Sequence, residues 1–217
     1  MKRFLLFALV ATLFAACSTA TLEMPIPSNQ IWYTSSNGKI VKPYETDDFG
    51  ANITSNTYEN GVGVITFDGD VTAIGYMAFY DCSALTSVTI PDSVTTIGSA
   101  AFEGCDALTS VTIPDSVTTI GDHAFSGCDA LTNITIPDSV TTIGFRAFYN
   151  CDALKEVYCK STTPPIADKG SSSYWNAFDN NASDRKIYVP TASVDAYKAK
   201  QNWIEYADAI EPYNFAE

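Results

Sequence analysis

A unit of 23 residues recurs through the middle of the chain with its apolar positions, glycine and cysteine in register. Phe79, Phe102, Phe125 and Phe148 keep this spacing, as do Cys82, Cys105, Cys128 and Cys151. A fixed period in this range builds a solenoid, because one unit cannot bury its apolar face alone and must stack on the next. Leu85, Val88, Ile90, Val94, Ile97, Ala101 and Phe102 recur as apolar residues and are expected to point inward. Ser87 and Thr89 flank Val88 with a period of two, which sets them on the outer face of a strand. Pro91 follows where no ladder donor is needed, Asp92 and Ser93 suit a turn, and Gly98 ends a second short strand. Residues 99–105 are expected as a helical or irregular turn whose phenylalanine plugs the core. The expectation is one parallel sheet with neighbouring coils about 4.8 Å apart.

The array reads as coils 62–84, 85–107, 108–130, 131–153 and a degenerate 154–190. An open solenoid end exposes core and strand edges, so both ends need covers. Residues 28–61 are expected as the N-terminal cap, with Ile31 to Tyr33 and residues 39–41 pairing as a hairpin around Ser35 to Gly38. Residues 191–217 are expected as the C-terminal cap. There Ser193 to Gln201 reads as a short helix, and Val194, Tyr197, Trp203, Ile204, Tyr206 and Ile210 form an apolar lid.

Residues 1–16 read as an export signal, with Lys2 and Arg3 before an apolar run from Phe4 to Phe14 and then Ala15 and Ala16. The following Cys17 makes Phe14-Ala15-Ala16-Cys17 resemble a bacterial lipobox, in which the cysteine is acylated and residues 17–27 become a lipidated tether. The alternative is an ordinary secretory signal cut near Ala16. Loss of residues 1–16 removes Lys2 and Arg3 and no acid, so the net charge moves from −13 to −15. Such a surface repels nucleic acid and gains nothing from anionic lipid, which leaves a lipid anchor as the membrane contact.

The register Leu-x-x-Val-x-Ile-Pro-x-x-Val-x-x-Ile-Gly-x-x-Ala-Phe-x-x-Cys, carried by residues 62 to about 190, resembles the BspA-like leucine-rich repeat, also called the Treponema pallidum type. The resemblance implies a right-handed leucine-rich repeat coil stack of α/β type with a parallel β-sheet, an N-terminal β-hairpin cap and a C-terminal short-helix cap. Members are typically surface or secreted proteins of anaerobic bacteria, some implicated in adhesion. It therefore implies a non-enzymatic module at the cell envelope that binds a protein or a glycan, lipid-anchored in the outer membrane and facing outward. Periplasm-facing and secreted locations are the alternatives, and a surface antigen without a single high-affinity ligand is the alternative function.

Candidate chemistry is sparse. The stacked cysteines could bridge after export, yet equivalent residues in stacked coils project in parallel while a disulfide needs converging Cβ atoms, so buried free thiols are expected. His123 is the only histidine and stands where other coils have Met77, Ala100 and Arg146, so neither a zinc site nor an acyl-transfer triad assembles. Asp92, Asp115 and Asp138 suit Asx turns better than a calcium ladder. No cofactor is expected. Binding candidates are the outward rows Ser87 and Thr89, Ser110 and Thr112, Asn133 and Thr135, and the aromatic residues at coil-variable positions, Tyr76, Tyr80, Phe145 and Tyr149. The strand face is the usual binding face of leucine-rich repeats; the aromatics could equally be cap contacts. Asp-Ser-Val at Ser93, Ser116 and Ser139 resembles a short O-glycosylation acceptor used by some anaerobic Gram-negative bacteria.

Overall fold

Apolar residues two apart give each coil a longer strand, and a second, two-residue strand follows, which in the three near-identical coils is the Thr-Ile pair before the glycine. In chain order the strands are β1 (Gln30–Ser35), β2 (Ile53–Glu59), β3 (Val62–Phe67), β4 (Ala73–Ile74), β5 (Leu85–Thr89), β6 (Thr96–Ile97) and β7 (Ser110–Thr112). They continue as β8 (Thr119–Ile120), β9 (Asn133–Ile136), β10 (Thr142–Ile143), β11 (Glu156–Cys159), β12 (Ile166–Ala167), β13 (Lys186–Pro190) and β14 (Ile210–Tyr213). An α-helix, α1 (Val194–Ala199), lies between β13 and β14. This computed structural model describes residues 26–167 and 176–215. The export signal 1–16, Cys17, most of the tether and the loop at 168–174 fall outside the described residues.

The short strands form one parallel sheet in the order β12-β10-β8-β6-β4, as the repeat requires. The longer strands depart from the expected single parallel sheet. They form two sheets, β2-β3-β1-β5-β7 and β14-β13-β11-β9, with no ladder joining β7 to β9. Val111 in β7 is half-buried where its counterparts Val88 and Ile134 are buried, consistent with a strand lifted off the core at this coil.

The N-terminal hairpin cap is present, but its strands are not the expected pair. Residues 39–41 form no strand. The hairpin is β2 with β3, turned by Asn60 and Gly61 at φ 53° and 86°, the two positive values that a two-residue turn of the primed type requires. Val62 to Phe67, expected as the first parallel coil strand, therefore belongs to an antiparallel ladder. β1 inserts between β3 and β5 and runs antiparallel to both. Its Tyr33 ring lies directly over Gly63, where a side chain would collide with it.

Inside the stack, Phe79, Phe102, Phe125, Phe148 and Phe178 form one column. Their centroids are 5.3, 5.1, 5.2 and 5.2 Å apart and their planes lie within 7° of parallel. Phe49 closes the column edge-on at one end, and Trp203 and Tyr206 close it at the other. In the C-terminal lid Tyr197, Trp203, Tyr206 and Ile210 are buried as expected, but Ile204 is 59% exposed because the 3-10 turn Ile204–Ala209 directs it outward.

Residues 99–105 are a run of tight turns with no helix. The N–H groups of Ala100, Phe102 and Gly104 donate to the carbonyls of Asp122, Ala124 and Ser126 in the following coil, at 2.8, 2.7 and 2.9 Å. At the glycine corner the sense reverses: the Gly121 N–H donates back to the Ile97 carbonyl at 2.8 Å. The turns place two residues per coil in left-handed backbone, Ala100 with Gly104 and His123 with Gly127 among them. At Gly127 a Cβ would meet nothing closer than 3.7 Å, so only its φ of 71° opposes a side chain. Gly127→Ala is expected to cost about 1 kcal/mol, read as a shift in the urea midpoint with an unchanged slope.

Candidate binding surface

The outward rows of the strands meet on two sheets with different chemistry. On the first sheet, Trp32 stands between Val64 and Thr89, and the same row reaches Thr57 and Thr112. The neighbouring row joins Thr34, Ser87 and Ser110. The Thr34 hydroxyl lies 2.6 Å from those of both Thr86 and Ser87. Four of the expected binding residues, Ser87, Thr89, Ser110 and Thr112, are thus brought together on one face, around an indole that the sequence reading left in a cap hairpin.

On the second sheet, Asn133 lies beside Glu156 and Lys186, and Thr135 beside Tyr158, Tyr188 and Glu211. Tyr158 and Tyr188 stack at 4.9 Å and 19°, and Tyr213 lies against both at 5.2 and 5.6 Å. Phe215 packs on Tyr213 at 4.8 Å. The Tyr158 hydroxyl donates to Glu156 Oε2 at 3.1 Å. Burial among these rings, with the Glu156 carboxylate second, pushes the Tyr158 pKa up to about 12, so it stays a donor at neutral pH. Lys186 and Glu211 pair at 2.8 Å beside the cluster, each holding the other in its charged form. None of these rings belongs to the core. Sequence reading missed them, although tyrosines at outward positions of consecutive strands were a usable signal.

The aromatics expected as binding residues fall elsewhere, on the turn face, and of these Tyr80 packs against the N-terminal cap. Tyr76 is 52% exposed. Tyr80 packs on Tyr44 of the N-terminal segment at 5.5 Å, and the Tyr149 hydroxyl accepts from Asn180 at 3.2 Å. Phe145 meets His123 edge-on at 5.5 Å, with the Arg146 guanidinium 5.0 Å from its ring and 4.7 Å from that of Tyr149. His123 is half-buried, and its Nδ1 lies 3.9 Å from the Glu103 carboxylate.

The thiols of Cys105, Cys128 and Cys151 each donate to the carbonyl of the phenylalanine one coil earlier, at 3.1, 3.3 and 3.1 Å. The described cysteines are free. Burial raises all of these thiols, that of Cys151 to about 12, so they stay protonated and unreactive at neutral pH. Ser116 and Ser139 are half-buried and donate to the carbonyls of Val94 and Val117 at 2.6 and 2.7 Å, and Ser93 donates to that of Ser28 at 3.2 Å. Burial and the neighbouring Asp152 and Asp106 raise the Asp129 carboxyl. Among the described residues no group of three His, Cys, Asp or Glu side chains is placed to hold a metal ion. An open polar recess of about 610 Å³ lies at the last coil, between Asn180, Arg185 and Glu205. Its Arg185 Nη1 donates to the Phe178 carbonyl at 2.5 Å and its guanidinium covers the Tyr206 ring, which makes it part of the lid.

A stack of coils with a strand, a proline-marked corner, a glycine corner and a phenylalanine column defines a leucine-rich repeat solenoid. The family model of the BspA type leucine rich repeat region matches residues 51–181 in six copies, and the chain belongs to that family. It is similar to the leucine rich repeat protein of T. pallidum, with 30% identity over 58% of this chain and 56% of that one and a TM-score of 0.50. It is also similar to a leucine rich cell surface protein of Faecalibacterium prausnitzii, with 33% identity over 52% of this chain and 30% of that one and a TM-score of 0.43. The chain thus spans about half the length of the first of these relatives and less of the second. A search of curated proteins finds no match. No helix among the described residues is long and apolar enough to cross a membrane.

Proposed function

We propose that this chain is a lipid-anchored interaction module of the cell envelope, held in the outer membrane through Cys17, displayed outward, and binding a protein or a glycan through the outward faces of its longer strands. The observation that carries this reading is the Tyr158, Tyr188 and Tyr213 cluster. Three large rings stay together on an outward face that the fold does not need for its core, and tyrosine dominates interface energetics. The surface-protein description of the F. prausnitzii relative supports the location. Exposed Tyr76 and the Phe145 and Tyr149 pair offer secondary contacts on the turn face, while Ser93, Ser116 and Ser139 are the proposed glycan acceptors. An intact mass equal to polypeptide plus lipid would end the acceptor proposal.

The test uses intact cells, with protease shaving to report display and Cys17→Ser to report the anchor. Tyr158→Ala with Tyr188→Ala is expected to weaken attachment to immobilised host matrix or partner bacteria about tenfold, with folding unchanged. Unchanged attachment in that variant, and in one lacking the Tyr76, Tyr80, Phe145 and Tyr149 rings, would favour a surface antigen without a single high-affinity ligand.

A further inference from the structure

The first sheet carries a second surface whose chemistry is unlike the tyrosine cluster. In β1, Ile31 and Tyr33 are buried and Trp32 between them faces outward, half-exposed. Among the described residues no aromatic ring stacks on it. The Trp32 Nε1 donates to Gln30 Oε1 at 2.8 Å, which fixes the indole on the sheet face and leaves the amide nitrogen of Gln30 to bond elsewhere. Around it stand the hydroxyls of Thr57, Thr66, Thr34, Ser87, Thr89 and Thr112. The rows through Trp32 and Thr34 carry no ionisable side chain from β1 to β7, in a chain whose net charge is −13, and Glu59 at the β2 edge is the carboxylate that shares this face.

We infer that this face, with Trp32 as its stacking anchor, binds a neutral polysaccharide. The inference rests on the reading of the strand face as a binding surface. An indole offers a flat apolar face to the C–H side of a sugar ring, while hydroxyls and an amide both donate and accept, which suits a ligand made of hydroxyl groups. Charge selects within that class. The acidic molecule repels polyanions, and the uncharged rows give a cationic chain nothing to pair with. The rows also repeat from strand to strand at about 4.8 Å, close to the advance of one sugar ring, so an extended chain can meet equivalent hydroxyls along its length. A protein partner would instead be expected to use the charged and aromatic second sheet.

Native gels cast with a neutral α-glucan, β-glucan, mannan or xylan, and with polygalacturonate as the charged comparison, test this on the full chain. Retardation by at least one neutral polysaccharide and none by polygalacturonate is expected. Trp32→Ala should weaken it about thirtyfold, and Trp32→Phe should weaken it less. Thr112→Lys, two strands away and solvent-exposed, should also weaken retention without touching the core. Retention unchanged in both Trp32→Ala and Thr112→Lys, or absent from every neutral gel, overturns the inference, as does a protein ligand lost on Trp32→Ala. Tyr158→Ala with Tyr188→Ala leaves neutral retention intact if the two surfaces are separate, so failure here and failure of the attachment reading remain distinguishable.

Discussion

Phe125→Ala should lower stability by about 4 kcal/mol. Phe125 is fully buried at the centre of the column, 5.1 Å from Phe102 and 5.2 Å from Phe148. Removing its ring deletes two aromatic contacts and leaves a cavity that cannot collapse, because the coil backbone is bonded to neighbours on both sides. Its own N–H donates to the Ala147 carbonyl of the following coil at 2.7 Å, and the adjacent Ala124 carbonyl accepts from the Phe102 N–H of the preceding coil at 2.7 Å. In a solenoid the lost contacts are interface energy, so the two halves of the array uncouple as well. Calorimetry should show a midpoint lower by roughly 8–16 °C for a chain of this size and, if uncoupling occurs, a broader transition. A shift under about 2 °C would mean that the column adds little.

Gly121→Ala should cost about 3 kcal/mol for a different reason. A Cβ there would lie 2.6 Å from the Ser99 nitrogen and 2.7 Å from the Gly98 carbonyl carbon, both backbone atoms of the preceding coil. No rotamer relieves such a contact, so the coils must separate at the corner and strain the 2.8 Å bond from Gly121 to Ile97. Gly69→Ala is the comparison, since its Cβ would approach only the Ala51 methyl, at 3.6 Å. Urea denaturation should show a large midpoint loss for the first variant and under about 0.5 kcal/mol for the second. Equal losses would remove close coil approach as the reason for the repeated glycine.

What the repeat made legible is the part of the fold that each coil states for itself. Phe102, Ile97, Val94 and Cys105 are buried where a coil-by-coil comparison puts them, and the thiols stay unbridged because parallel stacking aims them at backbone carbonyls. The cap was harder to read for a physical reason. Val62 to Phe67 has the same apolar alternation whether its neighbour runs parallel or antiparallel, so periodicity could not place β1 beside it. The Asn60-Gly61 turn was the usable clue. The tyrosine cluster was hidden similarly: Tyr158, Tyr188 and Tyr213 meet through strand register across degenerate coils that no longer share the 23-residue spacing.

The opposed hydrogen-bond ladders have a consequence for how such a molecule can lengthen. The turn ladder gives its N–H groups to the following coil, and the glycine corner gives its own to the preceding one. Each coil is therefore a two-way coupling with the same sockets on either side, and a copied coil fits between existing ones without new chemistry. The two ends are not interchangeable in this way. Tyr44 supplies a donor to the Ala78 carbonyl at one tip, while the Tyr206 hydroxyl supplies an acceptor to the Phe178 N–H at the other. Growth by duplication is open to the middle of the chain and closed to its terminal plugs.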